Sequence, residues 1–287
     1  MRLDDEQESS HFEVQRGGGG LGGGGGGMLP IIGLIGSKFG IGGIIVAVLI
    51  MMALGGNPLG LVSGGGMGGG GQEVSTDPTK LTEIQHLSLK VLGSTERRWT
   101  DLFASKGETY TPTTLVFYDR AGQSGCGAAQ SAMGPFYCPA DNRIYLDTSF
   151  FDELRSRFGA PGDFAQAYVI AHEVGHHVQT LLGISDKVHA AQQRGDSAAG
   201  NAEQVKMELQ ADCFAGVWAA NDHNLLEPGD MEEALRAAQA IGDDTLQRAA
   251  GQRPVPETFT HGTSEQRMFW LRRGLETGDP GQCDTFA

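Results

Sequence analysis

In the stretch Ala171-His172-Glu173-Val174-Gly175-His176-His177, two histidines and a glutamate have the types and the spacing for metal chemistry. Four residues apart on a helix, His172 and His176 project from one face about one turn apart, the separation at which two imidazoles share a single zinc ion. Glu173 falls beside such an ion rather than on it, where a carboxylate can take a proton from an activated water. This is the H-E-x-x-H pattern of zinc hydrolases. A lone histidine on an apolar helix is more often a satisfied core or surface residue, but two in this register around a glutamate point to zinc.

Two histidines leave a catalytic zinc one protein ligand short. Glu208, in Glu208-Leu209-Gln210-Ala211-Asp212, is the best-placed third ligand and leaves the fourth position for water. Asp212, one turn further along the same face, is the candidate to hydrogen-bond the outer nitrogen of a ligand histidine. Both acids could instead line a solvated face, but Ala211, Cys213, Phe214, Val217 and Trp218 around them are apolar. The longer H-E-x-x-H-x-x-G-x-x-H pattern is excluded, because Gln179 stands where its glycine belongs and Leu182 where its third histidine belongs. His261, in the loop Thr260-His261-Gly262 that enters a helix, is a candidate donor to the oxyanion of a hydrolysed carbonyl, a role Arg267 could share or support. The competing reading of His261 is an ordinary surface histidine.

These residues need elements to hold them. Pro161-Gly162-Asp163 with Gln166 reads as a capped helix start and Gly183 as its stop. Phe164, Ala167, Tyr168, Val169, Ile170, Ala171, Val174 and Val178 make the helix between them apolar nearly all round. Polar groups in so buried a helix need an internal partner. A second helix is expected over 202–221, carrying Glu208 and Asp212, with a loop or broken helix over 185–200 before it. Others are expected over 77–92, around Trp99 to Phe103, from Asp230 to near Gly242, and after Ser264 as N-cap. Thr113 to Tyr118 reads as a strand, and 134–138 with 143–147 as a hairpin turning at Pro139-Ala140-Asp141-Asn142. As the strands just before the metal helix, this hairpin is the candidate edge for receiving substrate backbone.

The chain has 287 residues, a net charge of −14 and 45 glycines, most of the excess before Gln72. That charge argues against nucleic acid or an anionic membrane surface as partner. The expected layout is a disordered Gly-rich cytoplasmic tail over 1–38, a transmembrane helix over 39–56, a Gly-rich linker over 57–76, and the zinc domain over 77–287. Arg2, Arg16 and Lys38 precede the apolar stretch and no Lys or Arg follows until Lys80, which predicts a single-pass protein with a cytoplasmic N-terminus and an exported domain. In an exported domain the four cysteines read as disulfides. Cys126–Cys138 and Cys213–Cys283 form one of three connectivities, and no C-x-x-C suggests a second zinc site.

The glycine-rich start, Ser124-Gly125-Cys126-Gly127, Gly134-Pro135-Phe136-Tyr137-Cys138-Pro139-Ala140-Asp141, Ala167 through Gln179 with its H-E-x-x-H, Glu208-Leu209-Gln210-Ala211-Asp212-Cys213 and His261-Gly262-Thr263-Ser264-Glu265-Gln266-Arg267 together resemble the neutral zinc metallopeptidases of bacteria over essentially the whole chain. The resemblance implies a thermolysin-like ligand set, with His172, His176 and Glu208 on zinc and Glu173 as base. The expected fold class is α+β, a mainly helical zincin-like domain with a small sheet or hairpin. The expected function is hydrolysis of a peptide or protein substrate at the membrane. The competing functions are a non-catalytic zincin-fold binding or scaffolding protein at the cell envelope and a closed, purely structural zinc site.

Overall fold

Phe12-Glu13-Val14-Gln15-Arg16 alternates in polarity, whereas Thr114-Leu115-Val116-Phe117-Tyr118 is apolar on both faces, the pattern of a strand covered on both sides. In the computed structural model, which describes residues 1–16, 73–193 and 197–287, these two runs lie side by side and parallel as β1 (Phe12–Arg16) and β3 (Thr114–Tyr118). A short strand β2 (Glu73–Ser75) pairs antiparallel with β1, and β7 (Arg143–Leu146) pairs parallel with β3. The hairpin expected around Pro139 is present. Its first strand, β6 (Phe136–Cys138), pairs antiparallel with β7, and Asn142 takes the left-handed φ of 56° in the turn. The sheet order is β2-β1-β3-β7-β6, so β6 is an outer strand, and β4 (Ala121–Ser124) with β5 (Gly127–Gln130) forms a separate pair.

Helices supply most of the remaining described chain, giving the expected α+β class. They are α1 (Glu83–Ser105), α2 (Ser149–Ser156), α3 (Asp163–Leu181), α4 (Ile184–Gln192), α5 (Ser197–Asn221), α6 (Asp230–Ala240), α7 (Asp243–Ala249) and α8 (Ser264–Thr277). Val174 and Val178 of α3, Phe214, Val217 and Trp218 of α5, Leu89 and Leu92 of α1 and Leu115 of β3 belong to one buried cluster. Both disulfides form as Cys126–Cys138 and Cys213–Cys283.

Several boundaries differ from expectation. A single helix α1 replaces the two pieces expected over 77–103, starting from a capping box between Thr82 and Gln85. Helix α3 is capped by Gly162, not Asp163, whose carboxylate instead lies 3.3 Å from the Met1 amino group. Helix α8 is capped by Thr263, with Ser264 its first residue.

The layout of the N-terminal quarter needs a larger correction. Residues 1–16, expected as part of a disordered cytoplasmic tail, are built into the domain. Ser9 N–H donates to Leu89 O at 2.9 Å, Ser9 Oγ donates to Glu96 at 2.7 Å, and Leu3 is buried. Strand β1, at the end of this segment, precedes the glycine-rich region, and both strands it bonds to, β2 and β3, follow it. A single crossing between 16 and 73 would put strands of one sheet on opposite sides of a bilayer, so the single-pass arrangement with an exported domain is withdrawn. The transmembrane helix expected over 39–56 lies outside the described residues. Among those described, no helix is long and apolar enough to cross a membrane.

Gly93 marks where the N-terminal residues rest on α1, since a Cβ there would lie 2.2 Å from Gln7 O. In an open helix Gly→Ala stabilises by about 1 kcal/mol. Here Gly93→Ala is expected to destabilise by about 1–3 kcal/mol in urea unfolding, because backbone must move. A stabilising result would mean that residues 1–11 do not pack on α1.

Candidate metal centre

Helices α3 and α5 approach closely at Gly175, where a Cβ would sit 3.0 Å from Ala211 Cα. That approach brings the histidines of one helix against the acids of the other. His172 Nε2 lies 3.1 Å from Glu208 Oε2, and His176 Nε2 lies 3.4 Å from the same oxygen. The ligand atoms of His172, His176 and Glu208 are all within 4.8 Å of one another, in a set that is buried or nearly so.

The outer atoms of the imidazoles decide what the inner ones offer. His172 Nδ1 is 2.8 Å from Asp212 Oδ1. Burial pushes the Asp212 carboxyl up, but Arg267 and His172 outweigh it and bring the carboxyl down to about 2, so it accepts only. His172 therefore carries its proton on Nδ1 and turns the Nε2 lone pair inward. His176 Nδ1 lies 2.9 Å from Gln179 Oε1, and the Gln179 amide is oriented by donating from Nε2 to Met207 O at 2.7 Å. His176 thus also points a lone pair at Glu208. In these tautomers two nitrogen lone pairs and a carboxylate oxygen converge at 3.1–3.4 Å, a set of donors that one shared cation would satisfy. A second proton on His172 is the alternative way of meeting the same negative charge: burial opposes it, yet Asp212 and Glu208 raise the His172 pKa to about 10. Two imidazoles and one carboxylate suit zinc with a position left open.

Asp212 is the hub of a buried network. Arg267 donates to it twice, from Nε to Oδ2 and from Nη2 to Oδ1, each at 2.9 Å, and the Tyr168 hydroxyl donates to Oδ1 at 2.6 Å. Arg267 is 2 % exposed and borders the cleft, with its Nε and Nη2 both engaged by this carboxylate.

The ligand face opens into a cleft of about 360 Å³. Phe136 and Tyr137 of β6 line one side, Phe150, Val169 and Met207 add apolar wall, and Glu173 and His261 border the same space. Burial raises the Glu173 carboxyl above its usual range against the pull of His176 and His172, and the backbone of Tyr137 hydrogen-bonds to it. His261 is held in its loop by Asp243, whose Oδ2 accepts the N–H groups of Thr260 (2.7 Å), His261 (2.6 Å) and Gly262 (3.0 Å). Asp243 Oδ1 lies 3.4 Å from His261 Nδ1. Burial opposes the charge on His261, but Glu208 and Asp243 raise its pKa. His177, next to His176, ties α3 to its surroundings instead, through Thr111 O at 2.6 Å and the Tyr137 hydroxyl at 3.2 Å.

His172, Glu173, His176, Glu208, Asp212 and His261, all singled out from sequence, border this one site. Tyr168, Gln179 and Asp243 were missed. Tyr168, His172 and His176 share one α3 face at i, i+4 spacing and Gln179 follows at i+3, so that register could have found the first two. Asp243 gives no such sign, since its role is set by a loop some twenty residues away.

Comparisons with known proteins place the chain in a family. A model of the family described as "Putative neutral zinc metallopeptidase" matches residues 1–286. "Uncharacterized protein YpfJ" of Escherichia coli (strain K12) is 49% identical over 251 residues, covering 86% of this chain and 87% of that protein. "Uncharacterized protein Mb2605" of Mycobacterium bovis is 47% identical over 189 residues, 61% of this chain and 62% of that one. No solved structure matches.

Removing one partner of a buried ion pair typically costs about 3–5 kcal/mol. Arg267→Leu is expected to lower unfolding stability by that amount, and Arg267→Lys to recover only part, because an ammonium cannot donate to both carboxylate oxygens in the same fork. Wild-type stability in Arg267→Leu would show that this pair does not hold the site together.

Proposed function

We propose that this chain, which belongs to the neutral zinc metallopeptidase family, hydrolyses peptide bonds, with His172, His176 and Glu208 as zinc ligands and Glu173 as general base. The observation that carries the reading is the convergence of two imidazole nitrogens and a carboxylate oxygen, buried or nearly so, beside an acid that lines the same cleft. Bound there, zinc supplies Lewis acidity, lowering the pKa of water and polarising a carbonyl.

The chain's own residues supply the rest. The Glu173 carboxylate accepts the proton of the attacking water and returns it to the leaving amine, a transfer helped by the raised pKa that its burial gives it. Strand β6 is an outer strand along the cleft, so an extended substrate can add to it through backbone hydrogen bonds, with Phe136 and its apolar neighbours around the substrate side chains. His261, carrying a proton that Glu208 and Asp243 favour, donates to the oxygen that becomes negative during attack. Asp212, Arg267 and Tyr168 hold His172 in one tautomer and orientation.

The test is zinc content and cleavage of casein by wild type, Glu173→Gln and Glu208→Ala. One zinc per chain with turnover is expected in wild type. Glu173→Gln should keep zinc and lose about 10²–10⁴-fold in rate, and Glu208→Ala should lose the metal. Full activity in Glu173→Gln would refute the mechanism, and full zinc occupancy in Glu208→Ala would refute the ligand set.

A further inference from the structure

A line of buried hydrogen bonds runs from His176 to the C-terminal tail. His176 Nδ1 donates to Gln179 Oε1 at 2.9 Å, Gln179 Nε2 donates to Gln210 Oε1 at 3.0 Å, and Gln210 Nε2 donates to the main-chain carbonyl of Cys283 at 3.0 Å. Gln179 and Cys283 are fully buried and Gln210 is 6 % exposed, so water does not substitute for a missing partner. Glutamine amides can be turned over, but a carbonyl only accepts. The Cys283 carbonyl therefore fixes the orientation of Gln210, Gln210 fixes Gln179 together with Met207 O, and Gln179 leaves His176 with its proton on Nδ1 and its lone pair towards Glu208. What holds Cys283 in place is its disulfide to Cys213, three residues beyond Gln210 on α5, while Thr285 Oγ1 adds a bond to Lys206 O at 2.6 Å.

We infer that Gln179, Gln210 and the Cys283 carbonyl are positioning groups for His176, so that the disulfide-closed C-terminal tail sets the zinc affinity of the site. The inference rests on the reading of His176 as a zinc ligand. It makes the second disulfide part of the metal centre, although neither of its sulfurs is a proposed ligand.

The experiment is zinc affinity by chelator competition on the full chain, with the visible spectrum of the cobalt(II)-substituted protein as a report on ligand geometry. Wild type is compared with Gln179→Leu, Gln210→Met and the double variant Cys213→Ser/Cys283→Ser, with circular dichroism as the check on folding. Gln179→Leu is expected to bind zinc about 10–100-fold more weakly, and Gln210→Met and the cysteine variant about tenfold more weakly, each with an altered cobalt spectrum. Gln210→Met keeps the Gln179 bond to Met207, so it remains informative if the buried Gln179→Leu fails to fold. A purely structural role for the tail predicts a lower melting temperature in the cysteine variant with wild-type zinc affinity and spectrum, and that result overturns the inference. Wild-type affinity in Gln210→Met overturns it equally. A wild-type chain that takes up no zinc overturns the ligand reading itself, which separates the two failures.

Discussion

Asp212 carries a negative charge at a point fully out of contact with solvent, and the arrangement around it follows from that constraint. A buried carboxylate is stable only when its oxygens are filled with donors and its charge is matched. Here donors from two helices, Tyr168 and His172 of α3 and Arg267 of α8, meet Asp212 of a third, α5. Satisfying one side chain thus fixes the relative positions of the helices that present the cleft. It also sets the tautomer of His172, and so the direction of its inner lone pair.

Such a meeting requires the helices to be close. Helices α5 and α8 pack through glycines on both sides, since a Cβ on Gly216 would lie 2.3 Å from Leu271 O and one on Gly274 would lie 2.0 Å from Cys213 O. Backbone runs against backbone there, which lets a long arginine lie along the interface with its guanidinium buried rather than reaching across from solvent. Gly175 does the same between α3 and α5. The charged network and the small residues are two halves of one solution: proximity without side-chain bulk, and polarity filled from several directions.

The site was legible because local geometry writes it. The pair His172 and His176 is read from helical period alone, and Glu208 and Asp212 repeat the same i, i+4 spacing on an apolar helix. The hairpin was legible from its turn residues. The N-terminal residues were not, because charged and polar 1–11 look like a tail until their partners are known, and Glu13 is matched by Arg143, 130 positions away. Helix α1 was expected as two pieces, 77–92 and one around Trp99 to Phe103, and the stretch between them includes Gly93-Ser94-Thr95, three weak helix formers. Burial of all three against other parts of the fold overrides their propensity. The function of Arg267 was half legible: it belongs to the site and borders the cleft, but only the fold shows that its guanidinium is held by Asp212.

The pairing of β1 with both β2 and β3 has a consequence in chain entropy. Residues 12–16 leave the ribosome first, yet β3, their parallel partner, begins at Thr114, so the middle of the sheet waits for about a hundred later residues. Closing a loop of that length costs about 4 kcal/mol beyond a constant, but the cost grows only logarithmically, by about 0.6 kcal/mol per doubling. The stretch between β1 and β2 starts and ends at neighbouring strands, with Arg16 opposite Glu73. By that scaling, halving or doubling the number of residues that separate Arg16 from Glu73 would change the closure cost by only about 0.6 kcal/mol.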